Sequence, residues 1–360
     1  MIYLDYNASV PLRPQARDAL IRALEEEGNS SSPHQMGRKL RALVDGARKE
    51  ILEAVGAKRL VFVSGGTEAN ALALSGLEKL PVLVSSIEHD SVLKSSPSPH
   101  LIPVTKDGVV DLGKLERLLD SFDTPGLLSI MLVNNETGVI QPVQEASRLA
   151  HLRGWKVHTD ASQALGHIPL SFESLGVDMM TLSAHKCGGP IGVGALVMKA
   201  EMHIPPLIRG GGQEYGMRAG TLSPSLVAGF AAALKESLKD DHKHLRGFQQ
   251  KIEDSLPEAF IYGKGSPRAP QVVCLGMPGV PADLQLMAFD LKGIAVSAGA
   301  ACSSGTMKTS HVLRAMGVSD EEARSAIRVS MGWKTQEQEI DTFIREWKTI
   351  YAQKTFKDAS

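Results

Sequence analysis

Cysteine is scarce in this 360-residue sequence, and its scarcity excludes several classes of protein. Only Cys187, Cys274 and Cys302 occur, an odd number without the Cys-x-x-Cys spacing of a metal knuckle. A disulfide-stabilised domain and a cysteine-based metal site are therefore disfavoured, and no resident metal is predicted. Free thiols of this kind are typical of a reducing compartment.

The sequence also lacks an excess of charge and a long hydrophobic run. Its 39 lysines and arginines nearly balance 40 aspartates and glutamates, so no net field favours nucleic acid or an anionic membrane surface. The N-terminal Met1-Ile2-Tyr3-Leu4-Asp5-Tyr6 has no basic region followed by an apolar stretch, and no later segment has the apolar length needed to cross a bilayer. We therefore expect a cytoplasmic protein with no nucleic-acid or membrane partner.

What the sequence does have is an alternation of short β-branched runs with longer helical patterns between about residues 60 and 200. This alternation predicts an α/β fold with a mostly parallel sheet and crossover helices. The length of the chain, with 43% hydrophobic residues, exceeds what one typical domain uses. Strands are expected at Leu60–Val63, Val82–Ser85, Leu128–Val133, Lys156–Thr159, Met179–Ser183 and Gly194–Met198.

A domain boundary is predicted along a long helical pattern from about residue 223 to residue 255. Residues 13–235 would form the large domain, and residues 1–12 together with 236–360 a smaller α+β domain. Within the smaller domain we expect strands at Gln271–Leu275 and Ala326–Ser330, and helices near Pro281–Lys292 and Gln336–Gln353.

Glycines at the end of the first strand predict a phosphate site. Gly65, Gly66 and Thr67 follow that strand and open a helix expected to reach about Leu77. The unpaired N–H groups of a helix start, with a threonine hydroxyl beside them, can hold one anion. A tight turn without a ligand is the competing interpretation of these glycines. Polar groups at the ends of several other strands favour the ligand, because ligands collect at this edge of an α/β sheet.

Asp160 and Lys186 stand at the ends of successive predicted strands and together indicate a cofactor. A buried carboxylate is costly unless a cation or a donor meets it, and a protonated pyridine nitrogen is such a partner. A lysine directed into a cleft suits Schiff-base chemistry, because desolvation lowers its pKa. Pyridoxal phosphate needs this pairing of carboxylate and lysine. Alternatively, Asp160 caps a helix and Lys186 is a solvated surface cation.

With these motifs assembled, the sequence resembles the cysteine desulfurases of the class V aminotransferase superfamily, the type that serves iron-sulfur cluster assembly. The resemblance implies the fold of type I pyridoxal-phosphate transferases, with a large mixed, mostly parallel sheet and a smaller C-terminal α+β domain. The matching segments are 3–8, 28–34, 64–70, 88–89, 133–138, 158–163, 183–186, 217–221, 301–305 and 326–330.

The resemblance also implies a role for each matching residue. Lys186, Cys302 and His89 would be catalytic; Lys186 would hold the cofactor aldehyde, and His89 would stack on the ring. Thr221 would reach the phosphate of a neighbouring subunit, which implies a homodimer. The other predicted cofactor ligands are Gly66, Thr67, Asn134, Asp160, Gln163, Ser183 and His185, and the predicted substrate ligands are Asn29, Asn134 and Arg328.

Cys302 lies among glycines, alanines and serines, whereas Cys274 has the apolar neighbours of a buried thiol and Cys187 is also interpreted as structural. A thiolate on such a segment can take the sulfur of L-cysteine as a persulfide. It would pass the sulfur to an acceptor or an iron-sulfur scaffold protein, where Cys302 could transiently ligate a cluster. Selenocysteine lyase, another class V enzyme and a non-catalytic scaffold remain alternatives.

Overall fold

The fold is described by a computed structural model covering residues 1–75, 80–299 and 309–358. The first layer is a seven-stranded sheet in the order β2-β8-β7-β6-β5-β3-β4, and β1 lies elsewhere. The strands of the chain, β1 to β13, are Ile2–Tyr3, Arg59–Val63, Val82–Ser85, His100–Ile102, Leu127–Ser129, Lys156–Asp160, Met179–Ser183, Gly194–Met198, Phe260–Ile261, Val272–Gly276, Ile294–Ala295, Ser297–Ala298 and Ala326–Ser330.

Helices cover both faces of this sheet, which explains why its central strands are buried along their whole length. The helices α1 to α13 are Pro14–Leu24, Gln35–Val55, Gly66–Ala73, Asp90–Leu93, Leu112–Asp120, Val143–His151, Phe172–Leu175, Pro224–Ser237, Lys243–Ser255, Ala282–Leu291, His311–Ala315, Asp320–Arg324 and Glu337–Asp358, with two 3₁₀ turns at Ala184–Lys186 and Gln213–Gly216.

The direction of the strands decides where the functional groups meet. Strand β8 pairs antiparallel with both β7 and β2, and the other pairs in the sheet are parallel. Six strands therefore point the same way, and their carboxyl ends share one edge. The mixed, mostly parallel sheet predicted for the chain is confirmed.

A second layer is built from the C-terminal part of the chain and the N-terminal strand. Strands β12, β13, β10 and β9 form an antiparallel sheet, and β1 pairs in parallel with β11. Its apolar core includes the stacked rings of Phe289 and Phe343 and the fully buried Trp347. The division between residues 13–235 and residues 1–12 with 236–360 stays a prediction.

The structure differs from the sequence-based expectations in several places. Strand β5 is Leu127–Ser129 rather than Leu128–Val133, and beyond it only the N–H groups of Ile130 and Leu132 donate to carbonyls of β6. The pattern from 223 to 255 is two helices, α8 and α9, and Asp240 between them pairs with the buried Arg13. Helix α3 ends at Ala73 rather than near Leu77. The edge strand β4, with its largely exposed residues, has no apolar run to reveal it. No helix in the described residues is long and apolar enough to span a membrane.

Trp347 offers a test of the second layer. We expect Trp347→Ala to lower the free energy of unfolding by about 3–5 kcal/mol, because a large buried ring is lost and a cavity remains. Leu291→Ala, in a side chain that is 81% exposed, should change it by less than about 0.5 kcal/mol. Urea denaturation followed by circular dichroism measures both. Equal losses in the two variants would contradict the packing described.

Candidate active site

A cavity of about 470 Å³ opens at the carboxyl ends of β6 and β7. Residues from both layers line it, so the site lies where the large sheet meets the second layer. Among the predicted residues, those at the cavity are Gly66, Thr67, His89, Asp160, Gln163, Ser183, His185, Lys186 and Arg328.

The predicted phosphate site lies at one end of this cavity, at the start of α3. A side chain on Gly66 would place its Cβ 3.1 Å from Ser162 Oγ and 3.4 Å from Ser183 Cβ, so a larger residue would push these serines back by a few tenths of an ångström. The N–H groups of the helix start thus meet hydroxyl-bearing side chains, as an anion requires. Burial, with the adjacent lysine, lowers the pKa of His185 to about 4, and its imidazole is neutral at physiological pH.

Asp160 is held in place from two sides at the end of β6. Its Oδ1 accepts the Ser162 N–H at 2.9 Å, and its Oδ2 accepts a hydrogen bond from Asn70 Nδ2 at 2.7 Å. The carboxylate is 7% exposed and lines the cavity. Fixed donors thus keep a buried negative charge ready for a cation, such as a protonated pyridine nitrogen.

Lys186 projects into the same cavity from the 3₁₀ turn after β7. Its Nζ donates to the carbonyls of Asn7 at 2.5 Å and Ala8 at 2.9 Å. Burial, followed by the nearby Arg328, lowers the pKa of Lys186 to about 8. A substantial fraction of the amine is therefore neutral and nucleophilic near physiological pH.

The backbone carbonyls of Lys186 and Cys187 are each held by a hydrogen bond from a side chain. His167 Nε2 bonds the Lys186 carbonyl at 3.0 Å, and Arg13 Nε donates to the Cys187 carbonyl at 3.0 Å. Cys187 itself is buried, and burial raises the pKa of its thiol to about 12. Together with the burial of Cys274, this confirms that these two cysteines are part of the packed interior.

Two buried oxygens at the cavity are acceptors that pyridoxal phosphate would satisfy. Gln163 Nε2 donates to the Asn7 carbonyl at 3.0 Å, but Gln163 Oε1 and Asn7 Oδ1 have no hydrogen-bond partner in the described part of the chain. A ring hydroxyl would satisfy such an acceptor. With an amine, a carboxylate and an anion site in one cavity, these residues fit the cofactor.

His89 and Arg328 stand at two further sides of the cavity. His89 Nδ1 accepts the Ser91 N–H at 3.1 Å, which leaves Nε2 for a ligand. Arg328 Nη2 donates to Asp5 Oδ1 at 2.8 Å and Nη1 to the Asn135 carbonyl at 3.1 Å, while Nε is buried without a partner among the described residues. The guanidinium is therefore held in a fixed orientation at the cavity, and its planar fork has the geometry that a carboxylate fits.

The structure does not bring every predicted residue to the cavity. Asn134 lies behind its wall, where its Oδ1 accepts the N–H groups of Glu136 and Thr137, so the predicted contacts of Asn134 with cofactor and substrate stay predictions. Asn29 and Thr221 are exposed and do not line the cavity that the described residues form. Cys302 lies outside the described residues.

The sequence interpretation missed several residues that shape the site. Asn70 holds Asp160, and Glu88, fully buried with its pKa raised to about 8 by burial, accepts the Met131 N–H at 2.7 Å. Asn70, Glu88 and Glu136 all stand inside segments noted for other residues. Their place in the segments that follow β2, β3 and β5 was the available signal, but contacts across the fold define what they do.

Known proteins with the same architecture place the chain in a family. The sequence matches the family described as aminotransferase class V over residues 2–343. It is 37% identical over 365 residues to cysteine desulfurase IscS of Dictyoglomus turgidum, covering 94% of this chain and 92% of that protein. The fold matches a NifS-like protein from Rickettsia africae with a TM-score of 0.92 and 34% identity, over 98% of this chain and 99% of that one.

A third relative was solved with a small molecule. SspA in complex with cysteine has a TM-score of 0.81 and 27% identity, over 92% of this chain and 99% of that one. The chain belongs to the aminotransferase class V family. Its curated relatives are cysteine desulfurases, and the predicted cofactor, pyridoxal phosphate, is confirmed by this membership.

The lowered pKa of Lys186 predicts a specific pH dependence. Above its pKa the amine is neutral, so borohydride trapping of pyridoxal phosphate on Lys186 of cofactor-free protein should rise with a midpoint near pH 8. Arg328→Gln should move this midpoint upward, because it removes a positive charge that lowers the pKa. Peptide mass spectrometry measures the trapped fraction.

Controls separate local from general effects in this titration. Arg314→Gln, in an exposed side chain, should leave the midpoint unchanged, and Lys186→Ala should give no labelled peptide at this position and no visible absorbance. A wild-type midpoint near 10.5, the ordinary value for lysine, would show that Lys186 is not desolvated as described.

Proposed function

We propose that the protein is a cysteine desulfurase that removes sulfur from L-cysteine, leaves L-alanine and carries the sulfur as a persulfide on Cys302. The carrying observation is that Gly299, three residues before Cys302, lines the same cavity as Lys186 and Arg328. Three residues span at most about 11 Å, so the chain can bring this thiol to a substrate in the cavity. The shared activity of the curated relatives supports the same conclusion.

The side chains at the cavity divide the work of the reaction. Arg328 binds the substrate carboxylate with its guanidinium at the cavity, while Asp5 and the Asn135 carbonyl keep its orientation. Pyridoxal phosphate, when bound, supplies the electron sink that weakens bonds near the substrate α-carbon. Lys186 Nζ and His89 Nε2 are the groups placed to move protons.

The sulfur transfer balances with the residues proposed. The Cys302 thiolate forms a bond to the sulfur of the substrate, and the bond between that sulfur and the β-carbon breaks. Its electron pair leaves with the β-carbon, which takes up a proton and becomes the methyl group of alanine. The persulfide remains on Cys302 for an acceptor.

The nearest alternatives keep the cofactor and change the substrate or the reaction. A selenocysteine lyase would use the same lysine and arginine, so relative kcat/KM for L-cysteine and L-selenocysteine distinguishes it. Another class V enzyme, such as a transaminase, has no use for a thiol at position 302. Formation of pyruvate or of an aminated keto acid, without persulfide, would favour that alternative.

The assembly and the partners follow from the same proposal. A homodimer would let the exposed Thr221 of one subunit contribute to the phosphate site of the other. We further propose that the sulfur goes to an acceptor or scaffold protein in iron-sulfur cluster assembly, in the cytoplasm. The near balance of charges offers no general attraction to nucleic acid or membranes.

Replacement of Cys302 tests the activity directly. Cys302→Ser should still bind pyridoxal phosphate and L-cysteine, because neither step uses the thiol. Alanine formation should fall by roughly a thousandfold or more, since a hydroxyl is a poor nucleophile toward sulfur at neutral pH. Mass spectrometry of the wild type after brief exposure to L-cysteine without reductant should find one added sulfur on the Cys302 peptide.

The two buried cysteines supply matched controls for this experiment. Cys187→Ala and Cys274→Ala should retain most activity, because both thiols are packed in the interior and burial raises their pKa. Added sulfur on Cys187, or normal turnover by Cys302→Ser, is the result that would reject the persulfide assignment.

Removal of the Thr221 hydroxyl tests the dimer. Thr221→Val should weaken pyridoxal-phosphate retention by about tenfold or more, the cost of one hydrogen bond to a charged group. Thr349→Val, a matched change on the exposed face of α13, should have no effect. Equilibrium dialysis gives the dissociation constants, and sedimentation gives the mass. A monomer that retains cofactor and activity at high dilution would refute the shared site.

A further inference from the structure

Glu136 is a buried carboxyl group at the cavity that the reaction described above does not use. It follows β5 in the Asn134-Asn135-Glu136 turn, and its backbone N–H is fixed by Asn134 Oδ1 at 3.0 Å. The residue is 2% exposed and lines the cavity. Burial raises the pKa of Glu136, so the fold accepts a cost to keep a polar group at this position.

The contacts of Glu136 join two points that are distant along the chain. Its Oε2 accepts a hydrogen bond from Ser310 Oγ at 2.5 Å. A Cβ added to Gly299 would lie 2.2 Å from this Glu136 oxygen and 3.2 Å from Ser310 Cβ. Gly299, Ser310 and Glu136 therefore touch one another. Gly299 does not have a positive φ, so a side chain at this position is opposed by the contact itself: it would force Glu136 Oε2 to move from its place beside Ser310.

The chain beyond Ser310 is anchored to the same wall. Ser310 Oγ also accepts the Leu313 N–H at 3.1 Å and so caps α11. His311 Nε2 bonds the Glu88 carbonyl at 2.9 Å, beside His89. On the other side, β12 at Ser297–Ala298 pairs with β13, which carries Arg328. Gly299 directly follows β12 and Ser310 directly precedes α11, so both residues are attached to elements that have fixed positions in the fold.

We propose that Glu136 is a positioning residue that ties Gly299 and Ser310 together at the cavity wall and thereby sets where the intervening chain, with Cys302, begins and ends. This inference rests on the proposed function, because Cys302 must be the sulfur acceptor for the position to affect turnover. Glu136 itself does not touch the reacting atoms. It acts by fixing Gly299 and Ser310, the two described residues between which Cys302 lies in the sequence.

A carboxylate suits this task better than an apolar side chain. It accepts a directional hydrogen bond from Ser310, and its small oxygen leaves room for the backbone at Gly299 where a methyl group would not fit. The glutamine amide preserves both the acceptor oxygen and the shape. Glu136→Gln therefore separates the effect of the hydrogen bond to Ser310 from the effect of the carboxylate charge.

Four variants test the proposal in the full-length holoenzyme with L-cysteine as substrate. Glu136→Ala and Gly299→Ala should each lower kcat for alanine formation by about tenfold to a hundredfold, with KM for L-cysteine within about twofold, because the thiol and not the substrate is misplaced. Glu136→Gln should recover most of kcat. Gly247→Ala, where an added Cβ meets nothing within 4 Å, is the control and should match the wild type.

A double variant isolates the contact from general damage to the fold. Gly299→Ala should reduce kcat much less in a Glu136→Ala background than in the wild type, because the oxygen that it would meet is gone. The same loss in both backgrounds would overturn the proposal, as would a normal kcat in Glu136→Ala or a Glu136→Gln variant as impaired as Glu136→Ala. Visible absorbance and the Lys186 trapping midpoint should stay unchanged in every variant.

Alkylation provides a readout that does not depend on turnover. In cofactor-free Glu136→Ala, iodoacetamide should modify Cys302 faster than in the wild type, and the buried Cys187 and Cys274 serve as internal references. An unchanged rate would count against the tie. If Cys302→Ser turns over normally, the proposed function fails; if only the Glu136 and Gly299 variants behave as the wild type, this inference alone fails.

Discussion

The site depends on keeping a negative charge buried at the end of β6. Asp160 can remain there because Asn70 and Ser162 donate to its two oxygens, and each donor belongs to a segment that the site also needs for another purpose. Asn70 lies in α3, whose first turn is the predicted phosphate site, and Ser162 lies beside Gly66. One carboxylate therefore joins the end of β6 to the start of α3.

The amine of Lys186 has neutral hydrogen-bond partners at the same cavity. Lys186 Nζ donates to two backbone carbonyls, at Asn7 and Ala8. Neutral acceptors satisfy the amine without adding a negative charge, so burial can lower the pKa of Lys186. A carboxylate partner at the same position would favour the charged form and make the amine less reactive.

Much of this arrangement could be predicted from the sequence, and the failures have physical reasons. Strand ends, glycine before a helix and lysine after a strand are local patterns, so the α/β fold, the family and the cofactor are confirmed. Asn70, Glu88 and Glu136 acquire their parts only through residues distant in sequence. Asn134 was predicted at the cavity, but its amide is occupied by the turn that it begins. The individual site assignments remain predictions that the proposed variants test.

The placement of the first strand has a consequence for synthesis on the ribosome. Asn7 supplies a carbonyl to Lys186, yet its own backbone N–H bonds Ser330 Oγ, 323 positions later, and β1 pairs with β11. At a translation rate of roughly 5–20 residues per second, Ser330 is added about 16–65 s after Asn7. Asn7 can therefore reach its final place only after Ser330 has been synthesised. A nascent chain cannot complete the wall of this cavity beside Lys186 until β13 has been translated.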